Sequence, residues 1–444
     1  MNKTLSLKLG TIALLVIGLL IPLLMIGGLI GERQTLRDSV VDDIAKSSSY
    51  AQQISGPVLV VPYRKTERVW KIQDGKSFQE TRVRSDYLAF LPETFVLDAD
   101  AKTELRSRGI YQARLYHADS RISGQFKVPA NWGIKNDLDD YRFDTPFIAV
   151  GVSDIRGIQN GLQLKLNEQT LDFLPGSGLN GLGGGVRASV PGLDSSNALR
   201  LDYAFDLKLQ GTGQFHVLPV GRSSTVNLSA NWPHPSFIGN FLPNSRDITD
   251  KGFAAHWQTS FFATNLEEAL ARCLVSDNCN DFKNRSFGVS FVDPVDQYLK
   301  SERAIKYALL FIALTFAGFF LFEVLKNLSV HPIQYALVGS ALALFYLLLL
   351  SLSEHLGFAA AYALSAAGCV TLIGFYLCHV LHSRARGLGF AAGLAVLYTM
   401  LYGLLSAEDY ALLMGALLLF GLLGVFMVLT RRLDWYRAGQ GRVA

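Results

Sequence analysis

Residues 9–30 read LGTIALLVIGLLIPLLMIGGLI, an uncharged run from Leu9 to Ile30 interrupted only by small residues and Pro22. A helix rises about 1.5 Å per residue, so about 20 apolar residues cross a hydrocarbon core of about 30 Å. Lys3 and Lys8 precede the run. A cleaved secretory signal has an apolar stretch of roughly 7–15 residues and ends in a small-x-small site. This run is longer and ends Met25-Ile26-Gly27-Gly28-Leu29-Ile30, so it predicts an uncleaved signal anchor.

The same apolar texture returns after Arg303, in windows at 306–325, 333–352, 358–380, 388–405 and 410–429. Short polar breaks separate them: Lys326 to Pro332, Ser353-Glu354-His355, His382 to Arg386, and Ser406 to Asp409. Backbone groups in lipid must bond within their own segment, so each window is expected to be helical. Cytoplasmic loops carry the excess of Lys and Arg. With the N-terminus inside, the inner segments hold Lys326, Arg384, Arg386, Arg431, Arg432, Arg437 and Arg442, and the outer ones hold Glu354, Glu408 and Asp409. Lys300, Arg303 and Lys306 depart from this, but they flank a long translocated segment, where the rule is weak.

The expected organisation is therefore 1–31 as cytoplasmic N-terminus and anchor helix and 32–303 as a periplasmic domain. A five-helix bundle follows over 304–430, then a basic cytoplasmic tail over 431–444. Apolar residues make up 50% of the chain and charged residues 18%, against about 25% charged in soluble proteins. The net charge of +4 forms no basic stripe with interleaved aromatics, so the expected partner is the lipid bilayer and not nucleic acid.

The segment from Glu32 to Ala45 has Leu36, Val40, Val41 and Ile44 at near-helical spacing and reads as a stalk. Beyond Gly56-Pro57 the period becomes two. Leu199, Leu201, Tyr203, Phe205, Leu207 and Leu209 alternate with mostly polar residues, a strand with one buried face. Gly211-Thr212-Gly213 then reads as a turn, with Gln214 to Val220 as the returning partner. Val58–Tyr63, Tyr87–Phe90, Ile110–Tyr116, Phe147–Val152 and Gly288–Val292 are further strand candidates, and Leu179–Gly185 reads as a glycine-rich loop. The expected fold is thus a membrane protein of six transmembrane α-helices, one plus five. A large β-rich, antiparallel sandwich-like periplasmic domain lies between the first two.

Catalytic chemistry finds little support. His216, His234 and His256 are scattered, with no H-E-x-x-H and no paired Cys-x-x-Cys for zinc. There is no nucleophile elbow and no P-loop. Gly181-Leu182-Gly183-Gly184-Gly185 lacks the strand-to-helix setting of a dinucleotide site. No catalytic, cofactor or metal residue is expected, and the chain reads as a non-enzyme. Cys273 and Cys279 lie in the segment expected outside, where disulfides persist, and are a candidate bridge. Cys369 and Cys378 fall in a span and read as small apolar residues. The candidate polar residues of the bundle are Glu323, Glu354 and His355, read as boundary residues, with Tyr398, Thr399 and Tyr402 as a packing seam. The candidate partner-binding surface is the aromatic segment Asn231, Trp232, Pro233, His234, Pro235 and Phe237, joined by His256 and Trp257. Its bland alternative is a buried turn between sheets.

A series of short stretches carries a resemblance. They are Gly56-Pro57 with Val61-Pro62, Pro146-Phe147, Asp154 to Ile158, Gly211-Thr212-Gly213, Asn231 to Pro235 and Asn240-Phe241-Leu242-Pro243. They continue as His256-Trp257-Gln258, Asp296-Gln297-Tyr298, Lys306-Tyr307, His331-Pro332 with Gln334-Tyr335, Ser353-Glu354-His355 and Asp434-Trp435-Tyr436. In this order they resemble the CreD family of inner-membrane, cell-envelope integrity proteins. The resemblance implies a role in envelope integrity and the envelope-stress response, and brings no catalytic residues. The expectation is a scaffold for a periplasmic or inner-membrane protein partner. The alternative is a transporter or lipid-handling protein working through the bundle.

Overall fold

The computed structural model describes residues 3–73, 76–276, 278–291, 296–325, 330–406 and 411–431. Lys326, Glu408, Asp409, Arg432, Arg437, Arg442 and the stretch Asp434-Trp435-Tyr436, all used in the sequence reading, lie outside the described residues. The chain forms two compact units. One comprises Met1–Asp38 with Val295–Ala444, and the other Ser39–Pro294.

The first helix, α1, runs from Lys3 to Ser47, so the anchor and the stalk are one continuous helix. Three short helices follow in the second unit: α2 (Phe261–Thr264), α3 (Leu266–Ser276) and α4 (Asn280–Lys283). The remaining helices are α5 (Gln297–Leu325), α6 (Pro332–Leu356), α7 (Phe358–Val380), α8 (Arg384–Ser406) and α9 (Ala411–Thr430). Among the described residues, five helices are long and apolar enough to cross a membrane: Leu7–Ser47, Gln297–Val324, Pro332–Leu356, Phe358–Val380 and Arg384–Ser406.

In the helical unit, α1, α5 and α6 share one core. Leu19, Leu23 and Ile26 of α1 join Ala304, Ala308, Phe311, Ile312 and Phe316 of α5. Gly339 of α6 permits the approach: a Cβ there would sit 2.4 Å from Leu19 Cδ1 and 2.7 Å from Phe316 Cζ. Small residues at such crossings let membrane helices pack closely where water supplies no driving force.

The β unit contains two sheets. The nine-stranded sheet has the order Ser236–Gly239, Phe287–Ser290, Gln214–Leu218, Gln52–Gln73, Phe147–Val152, Gly185–Ser189 and Leu174–Pro175. Lys76–Phe90 and Tyr141–Phe143 also pair with Gln52–Gln73. The eight-stranded sheet has the order Ser245–Thr249, Gly252–Ser260, Ser223–Ala230, Thr94–Arg108, Tyr111–Val128, Leu199–Thr212, Gln163–Leu166 and Gln169–Asp172. Residues of both sheets meet in a single core. The Tyr116 ring lies 5.7 Å from Phe215, and Trp257 lies 5.1 Å from Phe287, each pair joining one sheet to the other. Burial of such large apolar side chains contributes about 1.5–3 kcal/mol each and is the main stabilising term of the unit.

Two sequence expectations need correction here. The Leu199–Thr212 strand does bury Leu201, Tyr203, Phe205, Leu207 and Leu209 on one face. Gln214–Leu218 is not its hairpin partner. Leu199–Thr212 pairs with Tyr111–Val128, while Gln214–Leu218 runs parallel to Gln52–Ser55 and antiparallel to Phe287–Ser290 in the other sheet. At Gly213, with φ +75°, the chain changes sheets instead of folding back. The sandwich is also not purely antiparallel, because Ser223–Ala230 runs parallel to Thr94–Ala101 as well. Strands that cross between sheets enter from either end, and this permits parallel neighbours.

Candidate functional site

The segment Asn231 to Pro235 leaves Ser223–Ala230 of one sheet and enters Ser236–Gly239 of the other. Its indole points inward. Trp232 is 6% exposed, its Nε1 donates to the His234 carbonyl at 2.8 Å, and the Arg114 guanidinium lies 3.7 Å from its ring. Trp257 is 1% exposed and donates to the Phe241 carbonyl at 3.1 Å. Phe237 packs edge-on against Trp257 and Phe253. Asn231 is exposed and accepts from Thr103 N–H at 2.7 Å. His234 is exposed, Pro233 and Pro235 are half-buried, and half-buried His256 meets the Asn227 amide oxygen at 2.6 Å. Both indoles are thus core side chains, which matches the alternative of a buried turn between sheets for Trp232. Indole rings are large enough that a two-sheet core needs them, and their N–H groups find backbone acceptors there.

Cys273 and Cys279 form a disulfide with Cα atoms 4.4 Å apart, joining α3 to the start of α4. Both are buried against Gly181 of the glycine-rich loop.

The strongest polar constellations lie where α1 and α5 stand together. At one end of the helical unit, Glu323 of α5 is 4% exposed. Its Oε1 accepts from Lys8 Nζ of α1 and, at 2.8 Å, from Val330 N–H, while Oε2 accepts from the Tyr335 hydroxyl at 2.9 Å. The sequence reading placed Glu323 at a boundary of its span. In the structure it is a buried carboxylate satisfied by Lys8, the Val330 N–H and Tyr335 of α6. The stretch His331 to Tyr335 builds this end. His331 caps α6, its Nδ1 accepting from Ile333 N–H at 3.3 Å, and its own N–H donates to Gln334 at 3.0 Å. Pro332 occupies the first turn, where its missing N–H costs nothing. The cap sets Tyr335 facing Glu323.

At the other end, Glu354 accepts from the Tyr298 hydroxyl at 3.1 Å and lies 3.6 Å from Arg33 Nε. Arg37 of α1 bonds Asp296 just ahead of α5, and its guanidinium lies 5.6 Å from the Tyr298 ring. Asp296 also caps Tyr298 N–H at 2.9 Å. His355 is exposed and takes no part in this cluster. Asp296 and Tyr298 on one stretch and Glu354 on another, far apart in the sequence, are therefore two halves of one clasp.

A third knot lies in the β unit just past the end of α1. The Gln52 amide donates to the Asp154 and Gln210 carbonyls at 2.9 and 3.0 Å and accepts from Asp154 N–H at 3.1 Å. Arg156 donates to Asp154 at 2.6 Å and to the Lys46 carbonyl at 2.6 Å. The Arg156 side chain, above all, holds the Asp154 carboxyl below the usual carboxylate range. The sequence reading missed the role of Gln52, Lys8, Arg33 and Arg37. Their partners are long-range, and no local spacing marks them.

Between α7 and α8 a groove of about 630 Å³ is lined by Tyr362, Tyr398, Thr399 and Tyr402, with Ala363 and Ala366 on its α7 wall. The Tyr398 hydroxyl donates to Cys369 Sγ at 3.2 Å. Among the described residues no group of three or more His, Cys, Asp or Glu side chains stands ready to hold a metal ion.

Crystal structures of the M1 zinc metallopeptidase of Deinococcus radiodurans, free and as a mutant bound to a Tyr-Ser-Ala substrate, align with 38% of this chain and with 38% and 39% of theirs. The identity is 8% and the TM-score 0.18, too slight a likeness to carry any argument. The Inner membrane protein CreD of Escherichia coli (strain K12) is 39% identical over 420 residues, covering 94% of this chain and 91% of that protein. Residues 4–436 match the family described as Inner membrane protein CreD. The stretches that build both ends of the α1–α5–α6 clasp fall within that match, and the chain belongs to the CreD family of inner membrane proteins.

Proposed function

We propose that this protein supports cell-envelope integrity as a non-enzymatic scaffold, with six spans, both termini cytoplasmic and the β unit in the periplasm. The observation that carries the reading is the clasp. The chain leaves the membrane on α1 and re-enters on α5, and ion pairs tie these helices at both ends through Lys8–Glu323 and Arg37–Asp296. Buried or half-buried pairs of this kind fix a geometry more than they add net stability. Two spans tied to each other at both ends are firm roots for a protein that holds a partner. Five candidate spans, the additional helix α9 and the arrangement of basic residues support the topology.

A second reading, transport or lipid handling through the bundle, draws on the Tyr- and Thr-lined groove between α7 and α8. One experiment separates the two in cells whose only copy is the full chain, challenged with detergent. Loosening the roots with Asp296→Asn and Glu354→Gln should abolish protection at normal protein levels, and filling the groove with Ala366→Leu and Thr399→Leu should leave it intact. The reverse pattern overturns the scaffold in favour of the bundle. A cysteine introduced at exposed Thr170 should react with a membrane-impermeant maleimide in cells with an opened outer membrane. Failure to react would overturn the outward placement.

A further inference from the structure

The β unit has one strand edge left open beside an apolar cleft. Lys76–Phe90 pairs only with Gln52–Gln73, where Tyr87 lies opposite Pro62 and Ala89 opposite Val60. The Pro62 carbonyl accepts from Asp144 N–H at 2.9 Å, on the side away from Lys76–Phe90. In an antiparallel ladder the N–H and C=O of one residue point the same way, and directly opposed residues either exchange both bonds or neither. Pro62 faces away, so the backbone of Tyr87 faces outward, and that of Ala89 two residues on does the same. Tyr87 N–H is held by the Asp86 carboxylate at 2.9 Å. Ala89 N–H and C=O have no bonding partner among the described residues.

Sheet edges are normally blunted by charge, proline or cover. The earlier part of this strand follows the rule, with Arg82, Arg84 and Asp86. The stretch from Tyr87 to Leu91 does not. It forms one wall of a cleft of about 840 Å³, and the facing wall is α3, with Leu270, Leu274 and Val275. Val275 is 89% exposed and Tyr87 45% exposed. Lys127 stands at the cleft and makes no ion pair among the described residues.

We propose that this cleft binds an extended peptide segment of a partner protein by strand addition along Tyr87–Ala89. Backbone hydrogen bonds supply the affinity, and pockets for alternate side chains supply the specificity. The occupant is an extended strand because the unmet groups are a backbone donor and acceptor. Its alternate side chains are apolar because they face Leu270, Leu274 and Val275. This deepens the scaffold reading by naming a partner surface, and it rests on that reading only for its use in the cell.

The test pans displayed random decapeptides on the full-length protein in lipid nanodiscs and measures the winning sequences as synthetic peptides. Enriched peptides should carry apolar residues at every second position. Methylating their backbone nitrogens one at a time should weaken binding at alternate positions only. Ala89→Pro removes an outward N–H without touching the ladder, so the sheet should tolerate it, and binding should fall at least about tenfold. Should Ala89→Pro fail to fold, Ala271→Trp on the exposed face of α3 blocks the same cleft and should have the same effect. No enriched family, binding unchanged in the folded variants, or no alternation on methylation would overturn the proposal. So would a concentration-dependent dimer abolished by Ala89→Pro, which would make a second copy the occupant. A loss of peptide binding without loss of detergent protection would retire the scaffold's use of the cleft and leave the site standing.

Discussion

Substituting Gly181 by alanine should strike the β unit at the disulfide. A Cβ at Gly181 would lie 2.0 Å from Cys279 Sγ and 2.6 Å from Cys273 Sγ, where ordinary contact is 3.4–4 Å. The backbone there is outside the left-handed region, so the cost is contact and not torsion. Neither wall yields easily. The sulfurs are bonded to each other and buried, at 2% and 5% exposure. The loop is pinned by the Ser177 hydroxyl, which donates to the Gly183 carbonyl at 2.8 Å, and its Leu179 and Leu182 lie in the core. Over-packing of a tight site costs about 1–3 kcal/mol, and more than an ångström of displacement places this one near ~3 kcal/mol. For a unit of this size that lowers the melting temperature by about 6–12 °C.

The double change Cys273→Ala with Cys279→Ala removes both sulfurs and by itself costs about 2 kcal/mol in the chain-entropy model. In that background Gly181→Ala should add almost nothing, a coupling of about 2–3 kcal/mol. Tryptophan emission of the full-length protein in detergent is the assay, because Trp132, Trp232 and Trp257 are buried in the β unit. Additive losses, or a Gly181→Ala protein that melts with the wild type, would show that the loop does not seat on the disulfide.

Lys8→Met leaves the buried Glu323 carboxylate without its cation and should cost the helical unit about 3 kcal/mol; heat-induced aggregation in detergent should show Lys8→Met with Glu323→Gln recovering most of it, and an unaffected Lys8→Met protein would show that the pair is idle. Tyr298→Phe removes the hydroxyl donor to Glu354 and should cost about 1 kcal/mol in the same assay, while the tryptophan-monitored melting of the β unit stays put. Burial lowers the pKa of His216, whose Nδ1 is buried with no partner among the described residues, so the fold favours the neutral ring. The stability this gives is complete above about pH 6.5, the unfolded value, and is lost as pH falls through the lowered folded value. Melting temperatures between pH 7 and 5 should therefore fall more steeply for the wild type than for His216→Gln, and parallel slopes would remove His216 from the account.

The apolar runs from Leu9 and from Lys306 onward fixed their helices by themselves, because lipid-length hydrophobicity is a property of consecutive residues. The alternation from Leu199 to Leu209 fixed a strand and its buried face for the same reason: period two is local. The partner of that strand was not local. Gly213 is as compatible with a change of sheet as with a hairpin, and packing of Phe215 against Tyr116 in a common core decided between them. The tryptophans were ambiguous in the same way, since a rigid Trp-Pro segment suits a binding surface and a core crossing equally well until the facing sheet is present. The matched stretches around Asp296, His331 and Glu354 were visible as words in the sequence. What joined them was tertiary: Arg37 reaching Asp296 and Lys8 reaching Glu323 depend on α1 lying against α5, which Gly339 and the apolar faces of three helices bring about. Charges separated by hundreds of residues leave no spacing to read, and only the fold brings them into one low-dielectric place where they must pair.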